Sequence, residues 1–73
     1  MKTYTGYELI ALANFLEISE IDLWKHLDRA VATGKVEQYY NSEEAAEAGD
    51  DRNSQYAFQR ISAPELLAAI PTI

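Results

Sequence analysis

The sequence predicts a compact α+β domain, ordered helix, helix, strand, long loop, strand, helix, with a two- or three-stranded antiparallel sheet. Three observations predict it. Apolar residues recur every three or four positions in the first half, as Leu9, Leu12, Ala13 and Leu16 and then Leu23, Leu27, Ala30 and Val31. After Gly34 the period drops to two. Hydroxyl residues followed by acids, the signature of helix starts, stand at Thr5, Ser19 and Ser62.

The first helix opens on a capping box, Thr5 with Glu8, and the spacing carries it about three turns to near Glu17. The second opens at Ser19, with Glu20 and Asp22 placed to complement the helix dipole. Gly34 marks its end, where a left-handed residue closes a helix without steric penalty. Glu17 and Ile18 alone separate the two, so the helices must cross sharply. Residues 35–40, rich in Val and Tyr, read as a strand, and residues 56–61 as its antiparallel partner. A short strand at Lys2 to Tyr4 adds a third. Between the paired strands, residues 41–55 are long for a hairpin loop. Glu43 to Ala48 favours a short helix with Ser42 as its cap and Gly49 as its stop, and Asp50 to Ser54 reads as a flexible turn. Ser62 and Glu65 form another capping box, Pro64 fits a first helical turn, and a last helix over residues 62–70 ends at Pro71.

At 73 residues the chain holds one domain, residues 1–73, with one small core. With no cysteine it has no disulfide, thiolate metal site or cysteine nucleophile. No apolar run reaches the length of a membrane span, and the first residues lack a signal-peptide pattern, so a cytoplasmic protein without a membrane role is expected. The net charge is −6, and its placement is uneven. Residues 41–55 carry Glu43, Glu44, Glu47, Asp50 and Asp51 against Arg52, which leaves −4 in that segment. From Ser19 to Lys35, three acids balance three bases. A polyanion binder shows a basic stripe, and this sequence has none.

The run Thr5-Gly6-Tyr7-Glu8-Leu9-Ile10-Ala11, the turn Ile18-Ser19-Glu20 and the ending Leu27-Asp28-Arg29-Ala30-Val31-Ala32-Thr33-Gly34-Lys35-Val36 resemble the winged helix-turn-helix superfamily. The resemblance covers roughly residues 5 to 61. It implies a recognition helix followed by a two-stranded wing. Two departures stand out. Four residues precede Thr5, too few for the helix that usually comes before the motif, and the resemblance implies that the C-terminal helix takes its place. The segment matching the wing is acidic where DNA-binding members carry Lys or Arg.

Carried over residue by residue, the resemblance places recognition near Glu20, Asp22, Trp24 and Lys25, with His26 and Arg29 beside them. Lys25 and Arg29 suit guanine and phosphate. Glu20 and Asp22 repel phosphate, and first-turn capping is their ordinary role. Trp24 sits at the edge of the apolar stripe, where it either closes the core or anchors an interface. His26 has no nucleophile or ligand partner beside it in sequence and reads as a surface histidine. Asp50-Asp51-Arg52-Asn53 lacks the ligand spacing of a calcium loop, so no metal and no cofactor is expected. Tyr39, Tyr40, Tyr56 and Phe58 cluster on the hairpin, either as cross-strand packing or as an aromatic patch.

Two functions follow from different classes. The first is a non-enzymatic module whose acidic loop and aromatic residues bind a basic protein partner, as a DNA mimic or inhibitor. By analogy of fold and charge it is similar to small acidic inhibitors encoded by bacteriophages and mobile elements. Its contacts are Glu43, Glu44, Glu47, Asp50 and Asp51 on the loop, with Glu20, Trp24, Lys25 and Arg29 on the second helix. The alternative is a regulator that binds double-stranded DNA, as a homodimer, through Lys25, Arg29, Lys35 and Arg60. An enzyme is disfavoured, because no nucleophile–base pair, metal set or phosphate loop is visible.

Overall fold

The computed structural model of the chain describes residues 2–72. Its elements run β1 (Lys2–Thr5), α1 (Gly6–Phe15), α2 (Glu20–Ala32), β2 (Val36–Tyr40), α3 (Glu43–Ala48), a 3-10 turn (Asp51–Asn53), β3 (Ser54–Phe58) and α4 (Ala63–Ala68). Among the described residues these make an α+β fold with one three-stranded antiparallel sheet in the order β1-β3-β2.

The helix starts follow the hydroxyl residues. Thr5 Oγ1 accepts from the Glu8 N–H while the Glu8 carboxylate accepts from the Thr5 N–H, each at 3.1 Å. Ser19, Ser42 and Ser62 accept from Asp22, Ala45 and Glu65 N–H groups in turn. At Ser62 the box is half made, because the hydroxyl itself donates to Glu65 Oε1 (3.2 Å). Each of the first three helices closes with the same pair of reversed hydrogen bonds: Ile18 to Ala13 and Glu17 to Asn14, Lys35 to Ala30 and Gly34 to Val31, Asp50 to Ala45 and Gly49 to Ala46. This closure needs one left-handed residue. Gly34 (φ 78°) and Gly49 (φ 64°) supply it freely, and Glu17 (φ 60°) adopts it with a side chain. The cap at Leu16 stops α1 at Phe15, short of the expected end near Glu17, and it turns Ile18 inward to 2% exposure.

Strand register corrects two expectations. The third strand is Ser54–Phe58, not residues 56–61, because Gln59 and Arg60 N–H groups both turn to the Lys35 carbonyl. Residues 50–54 are not a flexible turn: they form the 3-10 turn and the fully buried Ser54 that begins β3. The last helix spans Ala63–Ala68, inside the expected 62–70, and packs against α2. Beyond it Thr72 forms an antiparallel bridge with Ile18.

The core lies between the helices and one face of the sheet. Leu9, Ala13, Ile18, Leu23, Leu27, Val36, Tyr56, Phe58, Leu66, Leu67 and Ile70 are all buried in it. Strand alternation sends Tyr56 and Phe58 inward and Tyr39 outward. Tyr4 meets Phe58 edge to face, with ring centroids 5.5 Å apart. Leu16, expected on the apolar stripe, is 42% exposed because it stands beyond the helix.

Gly6, the first residue of α1, fixes where the β2–β3 connection goes. A Cβ there would strike the Asp51 carbonyl oxygen and stand 2.7 Å from Arg52 Cα and 2.8 Å from the Arg52 carbonyl oxygen. The backbone of the 3-10 turn thus rests directly on the helix start, with no room for a side chain at Gly6.

Two stability changes follow. Gly6→Ala gains about 1 kcal/mol at most in helix propensity and meets an overpacking cost of about 3 kcal/mol, so urea unfolding should show a net loss of about 2 kcal/mol. Glu17→Gly should raise stability by about 0.5–1 kcal/mol in the same assay, by relieving the left-handed side chain.

Candidate functional site

The candidate site is built where the β2–β3 connection meets the starts of α1 and α2. Three contacts seat the 3-10 turn. Its backbone lies on Gly6. Arg52 Nη2 donates to Glu20 Oε1 at 2.7 Å, reaching across to the first turn of α2. Asp51 collects hydrogen bonds from the sheet: Gln38 Nε2 donates to its Oδ1 (2.8 Å), Tyr40 OH to the same oxygen (3.3 Å), and Ser54 Oγ (2.8 Å) and Tyr56 OH (3.4 Å) to its carbonyl oxygen. Gln38 Nε2 also lies 3.1 Å from both Ser54 Oγ and Tyr56 OH, so two N–H bonds serve three oxygens. Among the described residues no buried side-chain nitrogen or oxygen lacks a partner. Burial of Tyr56 pushes its phenol up to about 12.

One row of α2 faces this segment, Glu20, Trp24 and Asp28, spaced by four. The Trp24 indole N–H donates to Glu20 Oε1 (3.1 Å), and its ring packs 6.3 Å from Tyr56. The indole and then the Arg52 guanidinium hold the Glu20 carboxyl below its usual range. Loss of hydration and then the neighbouring Asp51 carboxylate push Asp28 above it. Trp24, with Gly49, Asp50, Asp51 and Arg52, lines an open hollow of about 220 Å³. Trp24 is half-buried at the core edge, and its polar tip is bonded within the chain.

The remaining site residues are distributed as follows. Glu43, Glu44 and Glu47 are exposed on α3, which stands out from the sheet end. Asp50 is half-buried and accepts from Asn53 Nδ2 (2.7 Å). Lys25 and Arg29 are exposed on α2, on the side of Ile21 rather than of Glu20 and Trp24. His26 Nδ1–H donates to the Asp22 carbonyl at 2.9 Å. The structure therefore separates the sequence-predicted residues: Glu20, Trp24 and Asp51 are brought together and bonded to one another's neighbours, whereas Lys25 and Arg29 stand apart from them. Gly6, Gln38 and Ser54, which seat the segment, escaped sequence reasoning. A glycine at a helix start was the one available sign of a close backbone approach.

Cations gather at one end of the sheet, with Glu37 and Glu65 among them. Lys2 lies opposite Phe58 in register, and Lys35 and Arg60 meet through a backbone hydrogen bond, all at the end where β2 begins and β3 finishes. Arg29 and Lys35 share a hollow of about 180 Å³ with His26, Ile61 and Leu66. The acidic α3 occupies the opposite end, a five-residue strand away, or about 17 Å. Among the described residues, Arg52–Glu20 is the one ion pair, so the single cation of the acidic segment is engaged.

Among the described residues no three His, Cys, Asp or Glu side chains gather as a metal site requires, and no helix is long and apolar enough to cross a membrane. A comparison of the chain with protein-family models, curated proteins and solved structures found no match.

The seat of the 3-10 turn has a pH signature. The Tyr56 phenol keeps its proton in the folded chain up to about 12 but loses it near its ordinary 10.0 once unfolded. Above 10.0 the unfolded state binds fewer protons, so stability falls as pH rises from 10.0 to about 12. Tyr56→Phe should be less stable at neutral pH, through the lost hydrogen bonds. Its gap to the wild type in urea unfolding should narrow across that alkaline window.

Proposed function

We propose that this protein is a non-enzymatic winged-helix binding module that grips a basic protein surface with its acidic end, in the manner of a DNA mimic. The observation that carries the reading is the placement of charge. In a winged helix, nucleic acid meets the start of the recognition helix and the wing beside it. Here that corner carries α3 with Glu43, Glu44 and Glu47, followed by Asp50 and Asp51, and its one cation, Arg52, is bonded to Glu20. The helix–helix–strand–strand order and the β1-β3-β2 sheet support the scaffold assignment. The exposed carboxylates attract a basic partner at long range and align it, which speeds association and raises its salt sensitivity.

A second reading is favoured by one observation. Lys25 and Arg29 are exposed with Ile21 on the outer side of α2, as DNA contacts would be. Asp28 lies between them in sequence, and even with Lys35 and Arg60, the other cations of this reading, a single copy makes few phosphate contacts and gains little affinity. The net charge of −6 opposes a duplex.

Polylysine and random duplex DNA at low salt separate the two. The full chain should bind polylysine with an affinity that falls as salt rises, and Glu43→Gln, Glu44→Gln and Glu47→Gln together should weaken it about tenfold or more. Duplex binding that steepens at low salt and disappears on Lys25→Ala with Arg29→Ala would overturn the proposal.

A further inference from the structure

Helix α1 is apolar on more than its buried side. Leu9 and Ala13 face the core, yet Tyr7 is 56% exposed and Phe15 83%, with Ala11 exposed between them at four-residue spacing. Around the following turn, Leu16 is 42% exposed and Ile21, in the first turn of α2, 76%. Four large apolar side chains thus stand in water within a short stretch of chain, whereas single exposed apolar residues are ordinary.

The charges around them identify what covers them. Between residues 6 and 24 the chain has Glu8, Glu17, Glu20 and Asp22 and no Lys or Arg, and the first cation, Lys25, stands one helical turn beyond Ile21. Glu8 borders the Tyr7–Ala11–Phe15 row at three-residue spacing from Ala11. A second copy of this chain would set those carboxylates against their like, which costs affinity. A cationic partner meets them with opposite charge. The row also begins at the acidic end: Tyr7 follows Gly6, on which the backbone of Asp51 and Arg52 rests.

We infer that the α1 row and the acidic end form one surface that takes a basic amphipathic helix. Its apolar side lies along Tyr7, Ala11, Phe15 and Ile21, and its cations face Glu8 and the acids of α3. This rests on the proposed basic partner and narrows it to a helical segment with an apolar stripe.

Two synthetic peptides of leucine and lysine test it, one patterned as an amphipathic helix of about five turns, the other of the same composition in scrambled order. The wild-type chain should bind the patterned peptide about tenfold or more tighter than the scrambled one. Phe15→Ser with Ile21→Ser should erase that preference and leave the weaker salt-sensitive binding of both. Glu43→Gln, Glu44→Gln and Glu47→Gln should weaken both peptides and keep the preference. Equal binding of the two peptides to the wild type would overturn the inference while leaving the basic-partner reading standing. A preference that survives Phe15→Ser with Ile21→Ser would overturn it too. So would concentration-dependent dimerisation of the free chain that the same variant abolishes, since a second copy would then cover the row. Binding of neither peptide would overturn both readings. The wild-type comparison needs no variant, so it stands even if the double substitution unfolds the chain.

Discussion

The close approach of two backbones at Gly6 governs this molecule. The β2–β3 connection is acidic, and its carboxylates repel one another, so left to itself it would extend into water. Instead its last turn lies on the first residue of α1, with no side chain between. Once that contact is made, Asp51 falls within reach of Gln38, Tyr40, Ser54 and Tyr56, and Arg52 within reach of Glu20. The individual hydrogen bonds are modest. They are held together because the main chain has one place to sit. The hollow beside Trp24, the engaged Arg52 and the position of α3 all descend from that seat.

The consequence for the acidic segment is a division of labour between neighbouring carboxylates. Asp51 is structural, since its oxygens serve the sheet and the turn. Asp50 is half committed, through Asn53. Glu43, Glu44 and Glu47 remain exposed on a six-residue helix whose ends are both capped, Ser42 at one and Gly49 at the other. A rigid mount for exposed charge differs physically from a solvated tail of the same composition. The caps set the backbone positions from which these charges project. Trp24 belongs to the mount, because its ring backs onto Tyr56 and its N–H orients Glu20.

Much of the architecture was legible in the sequence because its signals are local. Thr5, Ser19, Ser42 and Ser62 start helices through hydrogen bonds that reach three residues, and Gly34 and Gly49 end them through conformations that side chains resist. The α+β class and the pairing of β2 with β3 followed from period and helix starts, whereas the pairing of β1 with β3 did not. What could not be read depends on distant partners. The strand boundary at Ser54 is set by Gln38 across the sheet together with Asp51 in the preceding turn, so a serine that looks like part of a loop is buried. The end of α1 was misplaced because Glu17 takes a conformation that sequence rules reserve for glycine. Of the candidate contacts, composition marked the acids as a group but could not distinguish Asp51, turned to the sheet, from Glu43, turned to water. The exposed side of α1 was equally hidden, since an apolar residue at helical spacing reads as core.

The pairing of β1 has a consequence for the order in which the molecule comes together. Its partner is β3 alone, and Lys2 waits for Phe58 while Ile18 waits for Thr72. Helices α1 and α2 close through contacts within a few residues, but pairing β1 with β3 joins residues 2–5 to residues 55–58 and must absorb the entropy of a long loop. Closing the sheet therefore costs more chain entropy than closing either helix. The acidic end is seated by residues of β2 and β3, so a chain whose sheet is open has the same carboxylates without that seat.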